Sequence, residues 1–145
     1  MKSRYLPFEK AFDEETSTWT LTGKDSEGED FGVAAASTVE RATERLRYWV
    51  LDSLVASADN GDDRLGDLYP SAQAGDVITF MPMDLLPIRI RISRARHHLS
   101  QADVAERLGI SQQAYSKYER PGANLGMRTL QQVERAIDEE LLEFA

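Results

Sequence analysis

Leu99-Ser100-Gln101-Ala102-Asp103-Val104-Ala105-Glu106-Arg107-Leu108-Gly109-Ile110-Ser111-Gln112-Gln113-Ala114-Tyr115-Ser116-Lys117-Tyr118-Glu119 has the pattern of two short helices joined by a tight turn. Ser100 suits an N-cap, and Asp103 stands three residues on, where a capping box needs its acid. Val104, Ala105 and Leu108 fall on one helical face, with a small residue where a crossing helix must come close. Gly109 suits the left-handed conformation that stops the first helix. Ser111 can cap the second helix, which Ala114, Tyr115 and Tyr118 would hold down.

That arrangement leaves Gln112, Gln113, Ser116 and Lys117 pointing outward. These are side chains that read base edges. A Gln amide matches adenine N6 and N7, and a Lys reaches guanine O6 and N7 or a phosphate. Gln101, at the start of the first helix, is placed for a phosphate, with backbone amides beside it. Upstream, Arg89, Arg91, Arg94 and Arg96 would add attraction that does not depend on base sequence; Arg94 is the candidate among them.

Residues 99–119, with their Ser-Gln opening, inward Ala, Gly turn, second Ser-Gln and closing Glu, resemble the Cro/lambda-repressor helix-turn-helix family. Residues 128–137, with Leu130, Val133, Ala136 and Ile137 on one side, resemble that family's fourth helix. The resemblance implies operator DNA as partner, a repressor's role, paired half-sites and hence a homodimer or higher oligomer. Residues 120–126, Arg-Pro-Gly-Ala-Asn-Leu-Gly, replace the family's usual loop, which leaves the backbone contact expected of Arg128 open.

Ahead of this motif, Ile88, Ile92, Ala95 and Leu99 make a helical stripe, with Pro87 suited to the first turn and Asp84 or a neighbour as cap. Ile88, Ile90 and Ile92 also alternate, which is a strand signal, and the helical pattern that follows decides for a helix. Residues 1–82 are read as one domain, 83–86 as a linker and 87–145 as the helix-turn-helix domain.

The front half reads strand, strand, strand, helix, strand. Residues 4–10 and 16–22 are the first two strands, Trp19 and Leu21 sharing a face of the second. Residues 13–15 are their acidic turn, 31–36 a third strand, and 76–81 a strand that could rejoin the sheet. Val39, Ala42, Leu46, Trp49, Val50 and Leu54 form the apolar stripe of a helix of about 18 residues, opened by Ser37 or Thr38.

This order, with Thr38-Val39-Glu40-Arg41-Ala42 entering the helix after a small apolar strand, resembles the HicB antitoxin family. Tyr5, Pro7, the acidic turn and Trp19 also fit. Phe31-Gly32-Val33-Ala34-Ala35-Ala36 stands where that family carries a Pro-Gly-Cys-like segment. The resemblance implies an α+β front domain, a degenerate and catalytically inert RNase H-like fold with a three- to four-stranded sheet and one long helix, ahead of an all-α helix-turn-helix domain. It also implies a small, basic, mRNA-cleaving HicA-like toxin as partner, neutralised by the front domain while the rear domain represses the operon.

Charge is compatible with that division. The 145 residues carry a formal net charge of −8, which is unusual for a DNA binder. Residues 1–86 hold 8 basic and 17 acidic side chains, whereas 87–128 hold 8 basic and 3 acidic. An acidic domain suits a cationic partner. Glu27, Glu29, Asp30, Asp59, Asp62 and Asp63 are the candidate toxin contacts, and a merely solvated acidic face is the competing reading.

Other chemistries find little support. There are no cysteines, so disulfides, thiolate zinc sites and Cys nucleophiles are excluded, as suits a reducing cytoplasm. No apolar run approaches a membrane span. The opening MKSRYLPFEKAFDEE turns acidic before any apolar stretch, unlike a secretory leader. A working nuclease would need carboxylates converging on strands around two Mg²⁺ about 4 Å apart. Trp19, Leu21, Val33 and Ala35 are instead read as strand core, and the acids fall in turns. His97 and His98 diverge on a helix, against shared metal ligation. No catalytic residue, metal or cofactor is assigned. The alternative function is a stand-alone repressor whose front domain senses a small ligand near Trp19 and Trp49.

Overall fold

The computed structural model describes residues 2–139 and 141. Strands β1 (Arg4–Asp13), β2 (Thr18–Lys24) and β3 (Asp30–Ala36) precede helix α1 (Val39–Asp59) and strand β4 (Val77–Phe80). Helices α2 (Pro82–Arg96), α3 (Gln101–Leu108), α4 (Gln112–Ser116) and α5 (Met127–Ile137) follow. The chain divides into two compact units. Among the described residues, one holds 3–53 and 65–80; the other holds 2, 54–64, 81–139 and 141. Among the described residues no helix is long and apolar enough to cross a membrane.

The first unit is α+β, an antiparallel sheet in the order β3-β2-β1-β4 accompanied by the long helix. The expected return of a late strand is met by β4, where Arg4 pairs with Phe80 and Leu6 with Ile78. On the β1–β2 side, Phe12 faces Trp19 and Lys10 faces Leu21. Phe12 and Trp19 share the face of Leu6 and Leu21, yet Phe12 is 46% exposed. Their rings meet edge to face at 5.0 Å, an arrangement that favours aromatic pairs. Tyr69 exchanges two backbone hydrogen bonds with Tyr5.

Two core readings are corrected here. Val33 is 54% exposed and Ala35 also lies open, while Phe31 and Ala36 are buried. The cause is a β-bulge. Thr22 pairs with Val33 and Lys24 with Asp30, so Phe31 and Gly32 together oppose Gly23. The extra residue exchanges the faces of the strand on either side of it. Gly32 absorbs the distortion at φ +90°.

Helix α1 begins where Thr38 Oγ1 accepts the Arg41 N–H at 3.2 Å. Its stripe buries Ala42, Leu46, Val50 and Leu54, as expected. Trp49 departs from it at 45% exposure, because its ring lies over Gly32 at the margin of the stripe, edge-on to Phe31 at 6.0 Å. A Cβ at Gly32 would stand 2.7 Å from the Trp49 ring and 3.0 Å from Leu46.

In the second unit α2 starts five residues before the expected Pro87. Residues 83–86, read as linker, are its first turns. Pro82 takes the first helical position, and Asp84 at N3 accepts the Met81 N–H at 3.1 Å. Pro87 is therefore interior, where it leaves the carbonyl four residues back without its helical donor. That carbonyl, of Met83, accepts the N–H of Gly122 at 2.8 Å instead. Gly122 has φ +90°. The unusual 120–126 loop is thus tied to the kink-prone start of α2 by the bond the proline vacates.

The alternation of Ile88, Ile90 and Ile92 also has its reason. Residues two apart on a helix point about 200° apart, and residues four apart nearly coincide. Leu86 and Ile90 join one cluster with Val104, Tyr115, Leu130 and Val133. Leu85, Ile88 and Ile92 occupy the opposite side and are buried as well, as are Leu54 and Ala58 of the same unit. A helix buried on two sides looks like a strand in sequence.

Two substitutions test these constraints. Gly32→Ala combines a left-handed backbone with a steric clash, and is expected to cost about 2–4 kcal/mol in denaturant unfolding followed by Trp fluorescence. Gly122→Ala meets no atom within 4 Å, so only backbone strain remains. Its expected cost is about 1 kcal/mol, read from amide exchange across 120–126.

Candidate nucleic-acid interface

The helix-turn-helix is built as its caps require. Ser100 Oγ accepts the Asp103 N–H at 3.0 Å and Asp103 Oδ2 accepts the Ser100 N–H at 2.8 Å. The Ser100 backbone bond, then its hydroxyl, holds the Asp103 carboxyl below the usual range. The cap is therefore present at neutral pH and is lost only as pH falls through that lowered value. Gly109 ends α3 at φ 71°. Ser111 Oγ then accepts the Ala114 N–H at 3.1 Å and starts α4.

Tyr115 is buried and meets Tyr118 edge to face at 5.7 Å. Gln112, Gln113 and Lys117 are exposed on the far side. Ser116 is half-buried, and its hydroxyl donates to the Gln113 carbonyl at 2.8 Å. The structure thus presents Gln112, Gln113 and Lys117 together, with Ser116 turned back on the helix. Helix α5 buries Leu130, Val133, Ala136 and Ile137, the four positions read from its pattern. Arg107 of α3 ties to its end by donating to the Ala136 carbonyl at 2.7 Å. Arg128 is exposed in the first turn of α5, whose N-cap Gly126 offers no side chain and which holds no acid there.

Glu119, which sequence reasoning treated only as the close of the motif, is wholly buried. Arg94 clamps its carboxylate from both sides, Nε to Oε2 at 2.7 Å and a terminal nitrogen to Oε1 at 2.9 Å. Gln101 Nε2 donates to Oε1 at 3.1 Å. Arg91 Nε donates to the Glu119 carbonyl at 2.9 Å. The third Arg94 nitrogen donates to the Leu99 carbonyl at 2.9 Å, at the entrance to α3. Burial works against the Arg94 charge, but the hydrogen bonds and charge of Glu119 outweigh it and raise its pKa. Burial, with the charge of Glu119 beside it, pushes the Tyr115 hydroxyl far above the phenol range, so it stays neutral.

Arg94 and Gln101 are therefore placed otherwise than the phosphate reading expects. The Arg94 side chain is 11% exposed and Gln101 is turned inward. Both hold Glu119, and Glu119 closes the short 3₁₀ turn that continues α4. An arginine in one helix and a glutamate 25 residues later were the available signal.

The acidic candidates separate into two groups. In the sheet unit Glu27 and Glu29 lie in the β2–β3 turn, where Asp25 Oδ1 accepts their N–H groups, and Asp30 opens β3 and pairs with Lys24. Asp59, Asp62 and Asp63 lie in the other unit. There Asp59 meets Arg91 at 2.9 Å and Asp63 meets Arg89 at 2.8 Å, so both are engaged by α2. His97 Nε2 stands 3.1 Å from Glu139 Oε2.

No curated protein matches this chain. Residues 90–144 match the family model described as helix-turn-helix, which takes in part of α2 and all of α3, α4 and α5. The C-terminal part of the chain is a helix-turn-helix domain of the DNA-binding, transcription-regulating kind.

Proposed function

We propose that the chain is an autoregulatory antitoxin of the HicB type: the sheet unit masks a small basic HicA-like toxin, and the helix-turn-helix reads the operator of the operon encoding both. The observation that carries the reading is the joining of two unlike parts. A β-β-β-α-β unit with 6 basic and 13 acidic side chains precedes a helix-turn-helix. In that reading the sheet unit is the degenerate RNase H-like fold, without catalytic role. Its acidity favours and accelerates docking of a cationic partner. Glu27 and Glu29 are the contacts we assign to the toxin, since Asp30 pairs with Lys24 and Asp59 and Asp63 already serve arginines of α2.

At the DNA, Gln112, Gln113 and Lys117 enter the major groove, and Ser116 lies behind them. Arg128, at the open N-terminus of α5, takes a phosphate with the backbone amides around it. A recognition helix of five residues reads only a few base pairs, so a homodimer on paired half-sites supplies the rest. Arg94 and Gln101 act from beneath, through Glu119.

Two measurements test the two halves. Gln112→Ala is expected to cost about 1–3 kcal/mol on the duplex upstream of its own coding sequence and little on scrambled duplex. An unchanged ratio between the two would remove Gln112 from base reading. For the sheet unit, the tagged full chain is co-expressed with the short reading frames beside its gene. A small basic protein retained one-to-one, which arrests growth when expressed alone, is the expected result. Retention of nothing, with the chain still bound to its upstream duplex, would replace the antitoxin by the ligand-responsive repressor.

A further inference from the structure

Asp59 is the last residue of α1, and an acid there is unfavourable for the helix itself. The C-terminal end carries partial negative charge, and the last turn of α1 holds no basic residue. Its compensation comes from α2. Asp59 Oδ1 stands 2.9 Å from an Arg91 terminal nitrogen and 3.7 Å from one of Arg94. Those are the two arginines that hold Glu119, one by its carbonyl and the other by its carboxylate. Their side chains are only 16% and 11% exposed. Two nearly buried guanidinium groups around one buried carboxylate leave a positive charge uncompensated. They also repel each other. Asp59 supplies the missing negative charge, and it does so on the side of Arg91 away from the Glu119 carbonyl.

The rest of the segment holds it there. Arg96 Nε donates to the Gly61 carbonyl at 2.9 Å and Arg89 pairs with Asp63 at 2.8 Å. These bonds tie the segment to α2 at Asp59, Gly61 and Asp63, and Asp59 is the one that meets the arginines holding Glu119.

We propose that Asp59 is a positioning residue for DNA reading. By balancing Arg91 and Arg94 it lets both close on Glu119, which fixes the direction in which Gln112, Gln113 and Lys117 leave α4. This rests on the reading of α4 as the recognition helix. Its consequence is distinctive, because removing an acid near a DNA-binding surface ordinarily strengthens binding to every duplex. Loss of Asp59 lowers discrimination instead.

The experiment uses the full chain and a duplex it selects from a randomised library, with a scrambled duplex of equal length at the same salt. The wild-type chain must first prefer the selected duplex; if it does not, the reading of α4 fails, and the proposal with it. Given that preference, Asp59→Asn is expected to reduce the selected-to-scrambled affinity ratio by about 3- to 10-fold, the size of coupling found between contacting residues. Asp59→Glu is expected to stay within about twofold of wild type. Asp63→Asn, which removes the same charge from Arg89, is expected to leave the ratio unchanged. Far-UV circular dichroism confirms folding. Should Asp59→Asn not fold, Arg91→Lys, which keeps the charge but breaks the fork, is expected to lower the ratio likewise. An unchanged ratio in the folded variant, or an equal loss in Asp63→Asn, overturns the proposal.

Discussion

A carboxylate with no access to water governs the DNA-reading half of this protein. Glu119 is fully buried and ends the turn that extends the recognition helix. An isolated buried charge costs several kcal/mol, and its attraction to a partner offsets this only with good geometry and further hydrogen bonds. Glu119 has these: both oxygens meet the Arg94 fork, Gln101 adds a donor, and Arg91 holds the carbonyl of the same residue. The interaction is directional where apolar contact is not. Tyr115 and Val104 bury one side of α4 against the cluster, and among the small rotations that keep Tyr115 buried the fork selects one.

Helix α2 is the element from which this selection is made. It contributes Leu86 and Ile90 to the apolar cluster and buries Leu85, Ile88 and Ile92 on the opposite side. Between those faces it projects the arginines. Its interior Pro87 also has a structural use, since the Met83 carbonyl it strands is the anchor for Gly122. The loop that departs from the family pattern is thereby joined to the same helix that holds Glu119. The 120–126 loop and the turn that ends at Glu119 are both bonded to α2.

The parts legible in the sequence are those fixed by neighbours along the chain. The Ser100 and Asp103 capping box, the stop at Gly109, the cap at Ser111 and the apolar side of α5 depend on residues a turn or two apart, and each stands as its pattern requires. The strands and the long helix were legible from period and composition. What was not legible lies in contacts between distant residues. The bulge at Gly32 exchanged the faces of β3, so Val33 and Ala35 were read as core. The start of α2 is another such case, since Pro82 and Pro87 both suit a first turn and the Met83 carbonyl that Pro87 strands finds its donor only in distant Gly122. Arg94 and Gln101 were read as phosphate ligands because nothing local pairs a basic side chain with an acid 25 residues away. The acidic candidates were grouped by sign of charge, which does not distinguish a solvated turn at Glu27 from an acid engaged by arginine at Asp59.

If the Arg94–Glu119 fork orients the recognition helix, its loss must be felt first in that helix. Backbone amide exchange across residues 112–119 in full-length Glu119→Gln, compared with the unaltered chain, measures this without requiring the two units to unfold together. Breaking a buried pair from one side costs about 3–5 kcal/mol, so exchange in this stretch should accelerate by about 100-fold or more while β1 and β2 keep their protection. Unchanged protection of residues 112–119 would show that apolar contact alone holds the recognition helix, and that the buried carboxylate does not set its direction.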